Sequence, residues 1–347
     1  MKLFIVVLCY RVVDLTIDCL RSLSKEVCRV PGTRVGVLEN GTGGDAATRL
    51  QRVIDDNDWG SWCELTVVYP NRGFCGGNNL LIRPALDSNN PPEYVLLLNA
   101  DTIILEHALQ ALVEFMDNHP QAGIAGSQFL SAAGAIQSSP FRFMGILSEL
   151  DRGLKLGVVS KLLSRWTVSP PTPPTACPAD WLSGASMILR RSMLDQIGLL
   201  DEGLYTYFDD IDICLRARRS GWDTWYVPES KIIHLEGAST GVTGATKQAV
   251  KRRPGYWFQA RRRFFLKSHG KLYTALADAA FLSGHAIWRL RRRIQRKPDT
   301  DPPHLLADAF RHSVFRTGFA LRDVENPLMP AKAPTTAPPV ATSPSRS

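Results

Sequence analysis

Three carboxylates stand close together at Asp209, Asp210 and Asp212. They lead into a basic amphipathic stretch with Ile211, Cys214 and Leu215 on one side and Arg216, Arg218 and Arg219 on the other. Gly221 is a natural stop for a helix of that pattern. Acidic residues at a helix start are common, because the macrodipole favours anions there, and the same effect predicts an ionised Asp210. Two other places give the cluster meaning. Asn99-Ala100-Asp101 follows the apolar run Tyr94 to Leu98, and His234 follows the strand-like run Lys231 to Ile233. One carboxylate to take a proton, with a second carboxylate and an imidazole for a cation, is the set that metal-assisted group transfer needs. Singly each is weak: an Asp after a strand is more often a helix cap, and a histidine at a strand end more often structural.

The elements that must hold these groups follow from the apolar pattern. Residues 3 to 9 read as a first strand, and Asp14 as the cap of a helix with the stripe Leu15, Cys19, Leu20 and Leu23. Arg34 to Leu38 make a second strand, ending at Glu39-Asn40-Gly41. Glu39 there offers an acceptor to a pyrimidine or ribose, although an Asx-rich turn looks the same. Leu65 to Tyr69 make a third strand, followed by a glycine-rich loop over Asn71 to Asn79 and a helix over Leu80 to Leu86. Glycines in that loop would let a nucleotide approach the backbone, although Gly-Gly-Asn-Asn also suits a plain turn. Glu93 to Leu98 are a fourth strand, and the helix after it carries Ala108, Leu109, Leu112, Phe115 and Met116. This alternation predicts a mostly parallel sheet with helices on both faces and ligands at the carboxyl ends of the strands.

Beyond residue 140 the pattern loosens. Residues 141 to 168 mix apolar and basic types, and Ser169 to Pro174 form a stiff proline-rich connector, so a loop-rich insertion over the site is expected. Residues 254 to 290 read as helical, and the Pro, Ala, Thr and Ser tail from Asn326 as disordered. The expected division is a catalytic domain over 1–250, with a nucleotide-binding half at 1–126 and a catalytic half at 127–250, then a basic helical region over 251–325.

Composition sets the outer bounds. The charged fraction of 21% is that of an ordinary globular chain. Seven cysteines without a Cys-x-x-Cys pair read as reduced, which points to the cytoplasm. The first apolar run is short and leads into Tyr10-Arg11, so it reads as a buried strand rather than a leader. No run of about 20 apolar residues suggests a spanning helix. The net charge of +8 is concentrated near Arg252, Arg262 and Arg289 to Lys297. Leu272 to Trp288 with the arginines after it fit a helix lying in the headgroup layer of an anionic membrane, or a phosphate-bearing substrate, or simply a solvated basic helix. Nucleic acid is not an expected partner.

In order, the segments VVLCYR, VLENGTGG, NRGFCGGNN, LLLNADT, DWLSGASMILRRS, IGLLDEGLYTYFDDIDICLRARRSGW and IIHLEGAS resemble the inverting glycosyltransferases of family 2. The closest look is to the rhamnosyltransferase-like branch that builds bacterial surface polysaccharides. The resemblance covers roughly residues 3 to 240 and implies the GT-A fold. It implies Asp210 as catalytic base, and Asp101 with His234 as ligands of Mg²⁺ or Mn²⁺. It implies Tyr10, Glu39, Asn71, Gly73, Asn78 and Asn99 on the donor side, and Asp180, Trp181 and Asp209 on the acceptor side. Glu39 stands where the family usually has Asp, Asn99 where many members have Asp, and Arg11 where the family usually has Asn. The implied donor is a dTDP- or UDP-linked sugar, rhamnose or a hexose, and the acceptor a glycan or lipid-linked glycan. The implied place is the cytoplasm, peripheral on the inner face of the membrane.

Two other readings compete. A nucleotidyltransferase would carry a glycine-rich basic loop after the first strand, where this chain has Cys9-Tyr10-Arg11. A binding module without catalysis would not need Asp101, Asp210 and His234 together.

Overall fold

A computed structural model describes residues 1–235 and 251–326. The expected disordered tail and the last residues of the IIHLEGAS segment lie outside the described residues.

The first half alternates as expected: β1 (Leu3–Cys9), α1 (Val13–Ser24), β2 (Thr33–Asn40), α2 (Ala46–Asp56), β3 (Cys63–Val68), α3 (Gly73–Leu86) and β4 (Tyr94–Asn99). A short β5 (Thr102–Ile104), α4 (Ala108–Asn118) and β6 (Ala122–Leu130) come next. The second half holds α5 (Ile146–Leu154), α6 (Gly157–Leu162), β7 (Cys177–Pro178), β8 (Ser186–Arg190), α7 (Arg191–Ile197), α8 (Asp209–Arg219) and β9 (Asp223–His234). Among the described residues three more helices follow: α9 (Gly255–Ile294), broken at Gly270, α10 (Leu305–His312) and α11 (Val314–Thr317).

The strands form one sheet in the order β3-β2-β1-β4-β8-β6-β9-β5, with β7 on β9. Its longer registers are parallel, β3-β2-β1-β4 and β6-β9, while β8, β5 and β7 pair antiparallel. The apolar runs are continuous because helices cover both faces of the sheet. Ile5, Val7, Leu96 and Leu98 meet Leu20, Leu50 and Leu112 on one face. Val6, Val95 and Leu97 meet Ile82, Met193, Ile213, Phe264 and Phe265 on the other. Thus α9 shares the core of the sheet.

Several local expectations give way to packing. Asp14 is not a cap: Val12 holds the N-cap position, and Asp14 sits in the first turn, paired with Arg49. The glycine-rich loop is shorter than expected, because Gly73 to Asn79 already wind into α3. The carbonyl of Tyr205 accepts from Phe74 N at 2.7 Å and Cys75 N at 3.2 Å, meeting amide groups that a helix start leaves open. The expected loop-rich insertion contains α5 and α6. Helix α5 is fixed to α9 by buried Glu149, whose carboxylate accepts from Arg152 at 2.6 Å and Arg261 at 2.7 Å. Burial pushes this carboxyl up, but the two guanidinium groups outweigh it and hold it below the usual range.

The basic cluster is also less free than its sequence suggests. Arg252 pairs with Asp308, Arg261 bridges Glu149 and Asp278, and Arg262 donates to Thr317. Arg291 donates to the carbonyls of Leu154 and Lys155, and Arg292 pairs with Asp299.

Candidate active site

The sheet itself brings Asp101 and His234 together. Strand β4 ends at Asn99, the chain turns through Ala100 and Asp101, and β5 then pairs with β9 so that Thr102 faces His234. The turn is closed by Thr102 Oγ1 donating to Asn99 O at 2.7 Å and by Leu235 N donating to Asp101 O at 2.9 Å. As a result His234 Nε2 lies 3.4 Å from Asp101 Oδ1, with Asp101 buried and His234 part-buried. Asn99 Nδ2 lies 3.5 Å from the same nitrogen. A carboxylate oxygen and an imidazole nitrogen side by side are two protein ligands, the number a phosphate-bridged divalent ion commonly takes from the chain. Among the described residues no third His, Cys, Asp or Glu joins them, so phosphate oxygens and water would have to complete the shell.

The acidic cluster opens α8. Its lead-in is strained: Tyr205, Tyr207 and Phe208 have φ of 58°, 68° and 63°. Such angles cost bulky residues roughly 1–3 kcal/mol each and persist only where the surroundings enforce them. Here the enforcers are specific. Tyr205 donates its hydroxyl to Asn71 Oδ1 at 3.3 Å, Tyr207 stacks on Tyr256 at 5.9 Å, and Phe208 packs edge-on against Trp257 at 5.4 Å. This run aims Asp209 and Asp210, and no apolar periodicity could have revealed it.

The three carboxylates have different environments. Asp212 is buried and salt-bridged to Arg216 and Lys267, both at 2.8 Å, so it is neither solvated nor free. Burial pushes the Asp209 carboxyl well above the usual range, with the charge of Asp210 adding to it. Asp210 is only part-buried and accepts from Ile211 N at 2.8 Å. Burial raises it to about 6, while the main-chain N–H groups of Ile211 and Gly184 pull the other way. The helix start therefore does not hold Asp210 in the ordinary carboxylate range. Desolvation wins, yet a group near 6 is still largely ionised at neutral pH.

Gly184 ties the two clusters together. Gly184 packs against Asp210 with its N–H facing the carboxylate, and the carbonyl of the next residue, Ala185 O, accepts from Asn99 N at 3.0 Å. Asp210 and the Asn99-Ala100-Asp101 turn are thus braced by the backbone of adjacent residues.

Tyr10 and Glu39 stand at the carboxyl ends of parallel β1 and β2. Glu39 is buried and accepts from Thr42 N through Oε1, and Thr42 Oγ1 accepts from Arg11 N at 2.9 Å. Three residues expected on the donor side serve the local fold, although Asn78 Oδ1 stays buried without a partner among the described residues. Asn71 Oδ1 accepts from Gly73 N at 2.7 Å as well as from Tyr205. Asn78 Nδ2 donates to Phe74 O at 2.9 Å inside α3. Gly73 has φ of 72°, and a Cβ there would lie 2.4 Å from the Tyr205 ring, so its missing side chain serves Tyr205. Asn40 was not anticipated: Oδ1 accepts from Arg72 N at 2.8 Å and Nδ2 donates to Gly73 O at 3.0 Å. On the expected acceptor side, Asp180 accepts from Phe143 N at 2.9 Å and pairs with Arg218 at 2.6 Å. Trp181 donates Nε1 to Arg142 O and stacks on Phe141, with ring centroids 4.4 Å apart.

Comparison with known proteins gives the family and the fold. The chain is 29% identical over 175 residues to N-acetylglucosaminyl-diphospho-decaprenol L-rhamnosyltransferase of Mycobacterium tuberculosis, covering 49% of this chain and 56% of that one. It is 26% identical over 164 residues to rhamnosyltransferase WbbL of Escherichia coli K12, covering 47% and 60%. The chain thus spans somewhat over half the length of these curated relatives. Among solved structures, GalNAc-T7 with UDP, GalNAc and Mn²⁺ aligns with a TM-score of 0.58 at 14% identity, over 86% of this chain and 55% of that one. A mannosyltransferase from Pyrobaculum calidifontis with GDP-Man and Mn²⁺ aligns with a TM-score of 0.52 at 14% identity, over 92% and 84%. These likenesses establish the GT-A fold. The profile described as glycosyltransferase-like family 2 matches residues 2–254, the stretch that holds every element of the two braced clusters, and the chain belongs to that family.

Proposed function

We propose that the chain is an inverting glycosyltransferase that moves a sugar from a nucleoside-diphosphate donor to a lipid-linked or free glycan acceptor, in the synthesis of a bacterial surface polysaccharide. The observation that carries this reading is the brace through Gly184 and Ala185, which relates a part-buried, ionisable Asp210 to the Asp101–His234 pair at the sheet's carboxyl edge. In the reaction Asp210 takes the proton of the acceptor hydroxyl. The oxygen forms its bond to the anomeric carbon as the bond from that carbon to the diphosphate oxygen breaks, and the nucleoside diphosphate leaves with the electron pair. A single base opposite the leaving group inverts the anomeric centre. Asp209, whose carboxyl burial and the neighbouring charge of Asp210 push well above the usual range, is a poor nucleophile and is assigned with Asp180 and Trp181 to the acceptor side.

Tyr10, Glu39 and Asn99 are assigned to the donor nucleotide, while Asn71, Gly73 and Asn78 shape the loop that receives it. Asp101 and His234 would hold Mg²⁺ or Mn²⁺, which when bound neutralises charge on the departing diphosphate. The relatives named for rhamnose transfer support dTDP-rhamnose as first donor, with UDP-hexoses next. The test is a donor panel scored by nucleoside-diphosphate release, with and without Mn²⁺ or Mg²⁺. Release from no donor in the presence of acceptor glycans would remove the reading.

We also propose that the second half of α9 docks on an anionic membrane surface. No helix among the described residues is long and apolar enough to cross a membrane. Leu272, Leu276, Ile287, Leu290 and Ile294 are nevertheless exposed at helical spacing, and Arg293 and Arg296 are exposed beside them. An apolar stripe with a basic rim suits the headgroup layer, where a lipid-linked acceptor would be met.

A further inference from the structure

A second cluster of cations lies outside the candidate active site. The end of α5, both halves of α9 and the start of α10 enclose a cavity of about 160 Å³. Arg152, Lys155, Arg253 and Arg261 line it together with two carboxylates, Asp278 and Asp301, and Trp257 and Phe281 form aromatic walls. Three of the cations have carboxylate partners. Arg152 pairs with Glu149, Arg261 with Glu149 and Asp278, and Lys155 with Asp301. Arg253 is the exception: its guanidinium lies over the Trp257 ring at 4.2 Å, and among the described residues no hydrogen-bond acceptor or carboxylate meets it. The residues outside the described ones contain one side-chain carboxylate, Glu236. Arg152 adds a second unmet donor, because its Nε is buried without a partner among the described residues.

The excess charge is real at neutral pH. Burial, then repulsion from Arg152, pulls the Arg253 guanidinium down to about 10, which leaves it protonated. A desolvated guanidinium without a counter-ion is costly, and an anion with several acceptor oxygens removes that cost through charge-assisted hydrogen bonds. Inward-facing His312 does not supply the missing charge balance, since burial pushes its imidazole down and it adds no negative charge. The cavity is also joined to the catalytic cluster, because its wall Trp257 packs on Phe208, the residue before Asp209.

We propose that this cavity binds a phosphate-class anion, held by Arg253 with help from Arg152. Two sources share that chemistry: a free inorganic anion, and the diphosphate of a lipid-linked acceptor whose apolar part leaves past Phe281 and Leu282. The second source rests on the glycosyltransferase reading above; binding of the anion does not.

The test is calorimetric titration of the full chain with inorganic pyrophosphate in excess chelator, which silences metal-dependent binding at Asp101 and His234. Wild type should bind saturably, Arg253→Met should weaken binding at least ten-fold, Arg253→Lys should keep part of it, and Asp101→Ala should bind as wild type does. Tighter binding of geranyl diphosphate than of pyrophosphate assigns the lipid-linked source, and equal binding assigns the free anion. No binding by wild type, binding untouched by Arg253→Met, or equal loss in Asp101→Ala would overturn the proposal. Donor turnover measured on the same preparations shows separately whether the transferase reading stands.

Discussion

Gly184 packs on Asp210, with its main-chain N–H facing the carboxylate. A Cβ built on Gly184 would stand 3.9 Å from the Asp210 Cβ and 3.3 Å from the Phe74 ring. The base candidate is therefore positioned by backbone from the β7–β8 region as well as by its own helix. Because the following carbonyl binds Asn99 N, a displacement of this segment would disturb both halves of the site at once.

The Asp101–His234 pair makes the metal testable. Asp101→Ala and His234→Ala should each weaken Mn²⁺ binding measured in the presence of nucleoside diphosphate. Removing a carboxylate from a site with two protein ligands should cost at least ten-fold, on the order of 1.4 kcal/mol. Full activity in excess chelator would take the cation out of the account.

The raised Asp210 sets a pH dependence. Its carboxyl is raised to about 6 from the ordinary 3.8, so turnover should rise as pH passes through about 6. The stability sign is opposite. A carboxyl raised in the folded state binds its proton more tightly than in the unfolded chain, so folding loses stability as pH rises from about 4 to 6. Asp210→Asn should thus raise Tm at pH 7, by about 2–4 °C, and have less effect at pH 4. Thermal scans of both proteins at the two pH values decide it. An unchanged or lower Tm for the variant at pH 7 would place Asp210 in a better solvated setting.

Gly73→Ala probes the strained lead-in to α8. The added Cβ meets the Tyr205 ring at 2.4 Å and its carbonyl at 2.5 Å, at a φ of +72°. A loss of about 2–4 kcal/mol in urea unfolding is expected, from combined overpacking and backbone strain. A loss within about 0.5 kcal/mol, the range of a neutral surface change, would mean that Tyr205 moves freely.

Much of this arrangement could be read from the chain, for physical reasons that also explain the misses. Strands covered on both faces leave unbroken apolar runs, so β1, β2 and β4 were visible, and with them the strand ends that carry Glu39 and Asp101. The three-residue β5 leaves no such trace, although its pairing with β9 is what brings His234 to Asp101. Gly73 to Asn79 looked like a loop because glycine and asparagine disfavour helices. Tertiary hydrogen bonds from the Tyr205 carbonyl override that local preference. The arginines of α9 and of the residues just before it looked like one surface. Their partners Glu149, Asp278 and Asp308 lie between 17 and 112 residues away, beyond any local pattern.

Membrane docking has its own test, flotation with lipid vesicles. Binding to anionic vesicles should exceed binding to neutral ones and fall with salt, since each basic residue near the surface contributes about 1 kcal/mol. Arg293→Glu with Arg296→Glu should lower it further. Arg291 and Arg292 are poor choices because they bond within the fold. Equal binding to both vesicle types, or none at low salt, would leave α9 facing water.

The most direct measurement is single-turnover sugar transfer by Asp210→Asn, with donor affinity measured alongside. The amide keeps the shape of the side chain and loses the proton acceptor. The rate should fall by about 10²–10⁴ while the donor binds as in wild type. Asp209→Asn should lose far less, because burial pushes the Asp209 carboxyl well above the usual range and so disfavours its ionised form. Near wild-type transfer by Asp210→Asn, with Asp209→Asn inactive, would contradict the assignment of the base.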